Sequence, residues 1–132
     1  MRVVADSHAI VWYTQGSHRI SDDAAAALSE AETTGGIVVS VATLIDLWYV
    51  TQTTRRVTED DLSRLRAALE TLPKVIFHPV DVAVADACTA VPCSLLTDPW
   101  DRLIVATAKE LKVPLVTCDR QITAAKVVET IW

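Results

Sequence analysis

Arg2-Val3-Val4-Ala5-Asp6 decides the fold: a short apolar run closed by a carboxylate. A run of this length and hydrophobicity reads as a strand buried on both faces, with the acid at its exit. Two runs of the same kind follow, Ile37-Val38-Val39 and Val75-Ile76-Phe77. A fourth strand lies within Val113-Pro114-Leu115-Val116-Thr117, and a last short one is expected at Val127-Val128. The segments between them carry helical signals. Ser7 to Tyr13 suits a short helix before a turn at Gly16-Ser17. Ser21 caps a helix through Leu28 to about Glu32, with Asp22 and Asp23 favourably placed in its first turn. Gly35-Gly36 ends that unit. Ser40 opens a helix carrying Leu44, Leu47, Trp48 and Thr51 at the spacing of one buried face. From Glu59 to Leu72, the residues Leu62, Leu65, Leu69 and Leu72 form one stripe, and Pro73 stops the helix. Val82 to Ala90 predicts a short helix, and Asp98-Pro99 starts another through Leu111. Strands too apolar to face water, alternating with helices, predict an α/β fold. The expected form is a three-layer α/β/α sandwich with a mainly parallel sheet of four to five strands, one domain over residues 1–132.

The composition removes several classes of function. With 51% hydrophobic and 22% charged residues, the chain is too apolar to be intrinsically disordered. Three glycines leave little material for a phosphate-cradling loop, and neither a Walker loop nor a G-x-G-x-x-G turn is present. Cys88, Cys93 and Cys118 form no C-x-x-C pair, so they read as small buried hydrophobes in a chain kept reduced, which suggests the cytoplasm. No stretch reaches the roughly 18 apolar residues of a membrane helix, and the opening residues do not read as a signal peptide. The net charge of −5 argues, taken alone, against a nucleic-acid partner.

The placement of the acids answers that objection. Asp6 ends the first strand, and Asp119 lies two residues past Thr117. Asp46 sits on the second turn of the helix after the second strand; Asp98 and Asp101 open the helix before the fourth. A parallel sheet places such positions along its carboxyl edge, where α/β proteins hold their ligands. Converging carboxylates cannot all stay ionised without a cation, and an all-oxygen set favours a hard ion, Mg²⁺ or Mn²⁺. Setting these five aspartates aside leaves the rest of the chain neutral. Arg2, Arg19, Arg55, Arg56 and Arg102 are then available for phosphates. Asp98 before Pro99 is also a good helix cap, with Asp101 three residues on. Other chemistries lack their parts. Asp6-Ser7-His8 are adjacent residues that cannot form a relay, and His8, His18 and His78 have no metal-ligand spacing.

These segments together resemble the PIN-domain ribonucleases, and among them the VapC-type toxins of toxin–antitoxin pairs. Val3-Val-Ala-Asp6-Ser-His-Ala-Ile-Val-Trp12 is similar to that family's first strand and catalytic acid. Ser40-Val-Ala-Thr43-Leu-Ile-Asp46 stands where the family carries Ser-x-x-Thr-x-x-Glu. Asp98-Pro-Trp-Asp101-Arg resembles its Asp-Pro-Phe-Asp-Arg helix start, and Leu115-Val-Thr117-Cys-Asp119 its Leu-Val-Thr-x-Asp strand end. The resemblance implies a metal-dependent endoribonuclease with catalytic acids Asp6, Asp46, Asp101 and Asp119. It implies Mg²⁺ or Mn²⁺ on Asp6, Asp101 and Asp119 with Asp98 as an additional acid, and polar support from Ser7 and Thr117. RNA as substrate, a cognate antitoxin and a homodimer follow from it too. Position 46 departs from the family pattern: Asp is one methylene shorter than Glu and is expected to reach a metal through water. The alternative is a catalytically impaired PIN-fold module that acts by binding RNA or a partner.

Overall fold

The computed structural model describes residues 1–132. Five strands, β1 (Arg2–Ala5), β2 (Gly36–Ser40), β3 (Val75–His78), β4 (Leu115–Val116) and β5 (Thr130–Ile131), form one sheet in the order β3-β2-β1-β4-β5. Every pairing is parallel. Seven helices connect them: α1 (Ser7–Gln15), α2 (Asp22–Thr33), α3 (Val41–Thr53), α4 (Glu59–Thr71), α5 (Val82–Thr89), α6 (Pro99–Leu111) and α7 (Arg120–Ala125). The expected three-layer α/β/α sandwich is the observed one.

The two-residue period of the strands sorts the core into two faces. Val3, Ala5, Ile37, Val39 and Val116 point to one side, against Ile10 of α1, Leu28 of α2, and Leu65 and Leu69 of α4. Val4, Val38 and Leu115 point to the other, against Ile104 and Val105 of α6 and Ile122 of α7. Burial on both faces explains why these strands read as unbroken apolar runs. No helix is long and apolar enough to cross a membrane.

Four expectations need correction. The last strand is Thr130–Ile131, not Val127-Val128, because β4 pairs Leu115 with Thr130 and Val116 with Ile131. Val127 and Val128 instead pack sideways on the second core face. Helix α7 was not anticipated; six residues are too few to show a period. Trp48 is not on the buried face of α3, which presents Ala42, Thr43 and Leu47 inward and leaves Trp48 43% exposed. Cys93 is exposed and Cys88 and Cys118 are half-buried, so the cysteines are not core residues; all three are free.

The amino edge of the sheet is tied together by complementary groups. The Met1 ammonium donates to Thr34 Oγ1 at 2.9 Å and lies 3.7 Å from Glu30. Arg2 Nε donates to the Gly35 carbonyl at 2.9 Å, and Lys74 Nζ to the Thr34 carbonyl at 2.7 Å. Gly35 is required by close approach, since a Cβ there would stand 2.5 Å from the Met1 carbonyl oxygen.

Candidate active site

Strand order reverses between β1 and β4, and this switch point lies at the carboxyl edge. Asp6 leaves β1 there and caps α1, one carboxylate oxygen accepting from the Ser7 amide at 2.7 Å. Its other oxygen accepts from Thr117 Oγ1 at 2.6 Å, directly across the β1–β4 pair. Asp6 is 6% exposed and Thr117 fully buried, so both oxygens are fixed by the backbone and a neighbouring strand.

Asp119 follows β4. Its amide donates to Thr117 Oγ1 at 3.1 Å, and its carboxylate caps α7 by accepting from the Ile122 amide at 2.9 Å. Thr117 thus organises both strand-end acids. Asp46, on the second turn of α3, accepts from Ser7 Oγ at 3.2 Å. Asp98 caps α6 through the Asp101 amide at 3.0 Å, with Pro99 at the first helical position. Asp101 carries no hydrogen bond on its carboxylate and faces the other acids.

The five carboxylates share one electrostatic field. Burial pushes Asp101 up to about 7, with Asp98, Asp6, Asp119 and Asp46 all adding repulsion. Burial also raises Asp6, with a smaller push from Asp119, against the opposing bonds from Thr117 and Ser7. Asp46 is raised by burial first, then by Asp98 and Asp6, while its Ser7 bond and the charge of His8 pull it down. Neutral carboxyls form when ionised ones lack a compensating cation, and no cationic side chain pairs with these acids.

The site residues named from sequence all reach this edge, though not as a ready-made cage. No group of three His, Cys, Asp or Glu side chains is gathered tightly enough to hold a metal ion as it stands. The donor chemistry nevertheless suits a hard divalent cation: every candidate ligand is an oxygen, and the acids repel one another. One turn before Asp46, the fully buried Thr43 hydroxyl has no partner, the only buried side-chain polar atom of which this is true.

Arg102 does not serve phosphates. Its guanidinium donates to the carbonyls of Leu96, Cys88 and Val91 at 2.6, 2.9 and 2.6 Å, pinning the chain before α6 and so fixing where Asp98 and Asp101 begin. Arg2 is spent at the amino edge. Arg55 and Arg56, just past α3, form no ion pair. Sequence reasoning also missed the aromatic rim. Tyr49 lies one turn beyond Asp46 and stacks on Trp100, which stands between Asp98 and Asp101, with ring centroids 5.7 Å apart. Only the i, i+3 spacing of Asp46 and Tyr49 hinted at it.

Residues 3–128 match the PIN domain family. Ribonuclease VapC22 of Mycobacterium tuberculosis is 33% identical over 120 residues, 91% of this chain and 88% of that protein. The fold is also similar to that in two DNA-bound complexes. VapBC2 of Rickettsia felis, bound to a fragment of its promoter, gives a TM-score of 0.74 at 16% identity, covering 98% of this chain and 97% of that one. VapBC of Salmonella typhimurium gives 0.72 at 14% identity, covering 98% and 96%. VapBC-5 of Mycobacterium tuberculosis gives 0.60 at 22%, covering 98% and 96%. With its sheet order, its carboxyl-edge aspartates and this match along nearly its whole length, the chain belongs to the PIN-domain family and is of the VapC type.

Proposed function

We propose that this protein is an endoribonuclease that depends on Mg²⁺ or Mn²⁺, and that it is the toxin of a toxin–antitoxin pair. The observation that carries the reading is the set of five aspartates, brought from four parts of the chain to the sheet's switch point with no cation among them. The likeness to a VapC ribonuclease supports RNA as the substrate.

Asp6, Asp101 and Asp119 would hold the metal, with Asp98 as a further acid. A divalent ion there would polarise the phosphodiester and make its bound water more acidic. Asp6, locked through Ser7 and Thr117, serves as the rigid anchor. Asp119 and Asp98 each spend one oxygen on a helix cap and keep the other free. Asp101, with no hydrogen bond on its carboxylate, keeps both oxygens open, one towards the metal and one to take a proton from the attacking water. Asp46 is held by Ser7 and is short by a methylene against the family's Glu, so it orients water rather than binding the metal directly.

A cognate antitoxin and a homodimer belong to the same reading; the similar folds found in VapBC complexes support the first. The test is incubation of the purified chain with a panel of structured RNAs in Mg²⁺, Mn²⁺ or EDTA. Cleavage with either metal and none in EDTA is expected. Undiminished cleavage in EDTA would overturn the metal mechanism. Metal binding without cleavage of any RNA would favour the impaired binding module.

A further inference from the structure

We infer that Trp48, Tyr49 and Trp100 form a stacking platform for unpaired bases of the RNA, seated beside the acids. This rests on the nuclease reading above and adds to it the residues that position the strand. The chain has only seven Phe, Trp and Tyr residues, and three of them meet here. Trp48 and Tyr49 contact edge to face with centroids 5.0 Å apart, and Tyr49 lies tilted on Trp100 at 5.7 Å. Trp48 and Tyr49 are 43% and 49% exposed, an unusual state for aromatic rings on a helix that is apolar all round.

Their position on α3 identifies the occupant. Asp46 comes first along the helix, then Trp48 and Tyr49, and then Arg55 and Arg56 just past its end, both exposed and without an ion pair. Seven residues from Asp46 to the end of α3 span roughly 10 Å at the helical rise, the scale of one or two nucleotides. Acid, aromatic and free arginine in that order match a scissile phosphate, its neighbouring bases and the next phosphates. An apolar peptide would leave the two arginines unmatched. Stacking on exposed rings needs bases already free of a duplex, so the platform selects single-stranded RNA.

Trp48 also walls a groove of about 310 Å³ with Leu44, Ile45, Leu62 and Arg66; Tyr49 does not, which makes Tyr49→Leu the diagnostic substitution. The experiment compares the parent, Tyr49→Leu, Trp48→Ala and Trp48→Phe. Binding of a labelled unpaired oligoribonucleotide and of the same sequence in a duplex is followed by anisotropy in Ca²⁺, which neutralises the acids in place of Mg²⁺. Steady-state cleavage in Mg²⁺, sedimentation and thermal melting complete the set. Tyr49→Leu and Trp48→Ala are expected to weaken binding of unpaired RNA and raise KM about tenfold, leaving kcat within about twofold and the melt unchanged. Trp48→Phe should restore both, and the parent should prefer unpaired RNA to the duplex. If the parent cuts RNA but both variants bind and cut as it does, the platform is overturned and the nuclease reading stands. Variants that change only the oligomeric state assign the face to a second copy and overturn it as well. A parent that neither binds nor cuts RNA overturns both readings.

Discussion

The two edges of this sheet are built on opposite electrostatic rules. At the amino edge, the Met1 ammonium, Arg2 and Lys74 each meet an oxygen of the 30–35 segment within 2.9 Å. At the carboxyl edge, burial and neighbouring acids raise Asp6, Asp46 and Asp101, and no cationic side chain meets any of the five aspartates. Both edges are made from the same strands, so the difference is one of purpose. Satisfied polar groups hold a structure, whereas carboxylates left to repel one another are tolerated where a ligand will neutralise them.

The sharpest break in this contrast comes from Asp101→Asn. It is expected to lower cleavage about 100-fold or more, the scale of a lost general base, while the melting temperature stays equal or rises because repulsion is relieved. Initial rates and melts on one preparation check it; a destabilised but active variant would reverse the roles assigned to the two edges. Gly35→Ala is the mirror experiment. With a Cβ 2.5 Å from the Met1 carbonyl oxygen, it should destabilise the fold by about 1–3 kcal/mol yet leave cleavage per folded molecule unchanged.

Asp98→Ala stands between these cases, since Asp98 both caps α6 and belongs to the acid set. Loss of the cap should cost about 0.5–2 kcal/mol in denaturant unfolding, with a smaller fall in activity than for Asp101→Asn. A separate effect is a pH dependence of the metal-free protein. Between the ordinary 3.8 and about 7, folded Asp101 keeps a proton that the unfolded chain has released. Stability therefore falls as pH rises through that window and stays reduced above it. Melts in EDTA should be higher at pH 5 than at pH 8, and Asp101→Asn should flatten the difference.

Much of this architecture could be read before the structure because its signals are local. β1 and β2 are buried on both faces, which writes them as plain apolar runs, and the acids sit one step beyond a strand or at a helix start. What escaped is non-local. In α3 the apolar residues run all round the helix, so two stripes one residue apart fit equally well. Packing against α1, α4 and α6 selects Thr43 and Leu47 over Leu44 and Trp48. Val127-Val128 has the better strand composition, yet the geometry of β4 hands the ladder to Thr130–Ile131. Arg102 looks like a phosphate ligand in sequence, since nothing there says that it binds three carbonyls, one at the end of α5 and two in the loop after it. At the site, the placement of the acids at strand ends and helix starts was legible. Of the capping bonds that divide them into anchored and free carboxylates, the one at Asp98 is signalled in the sequence by the proline that follows it.

The bond between Asp6 and Thr117 joins residues 111 positions apart. Ribosomes add about 5–20 residues per second, so a growing chain exposes Asp6 for roughly 6–22 s before Thr117 has been made. During that interval the first acid has neither its lock nor its partners Asp98, Asp101 and Asp119 in full. A chain ended or cut before Thr117 would therefore lack the bond that fixes Asp6. For a ribonuclease, a lock that lies 111 residues beyond the acid it holds delays an assembled site until Asp98 and Asp101 have also been made.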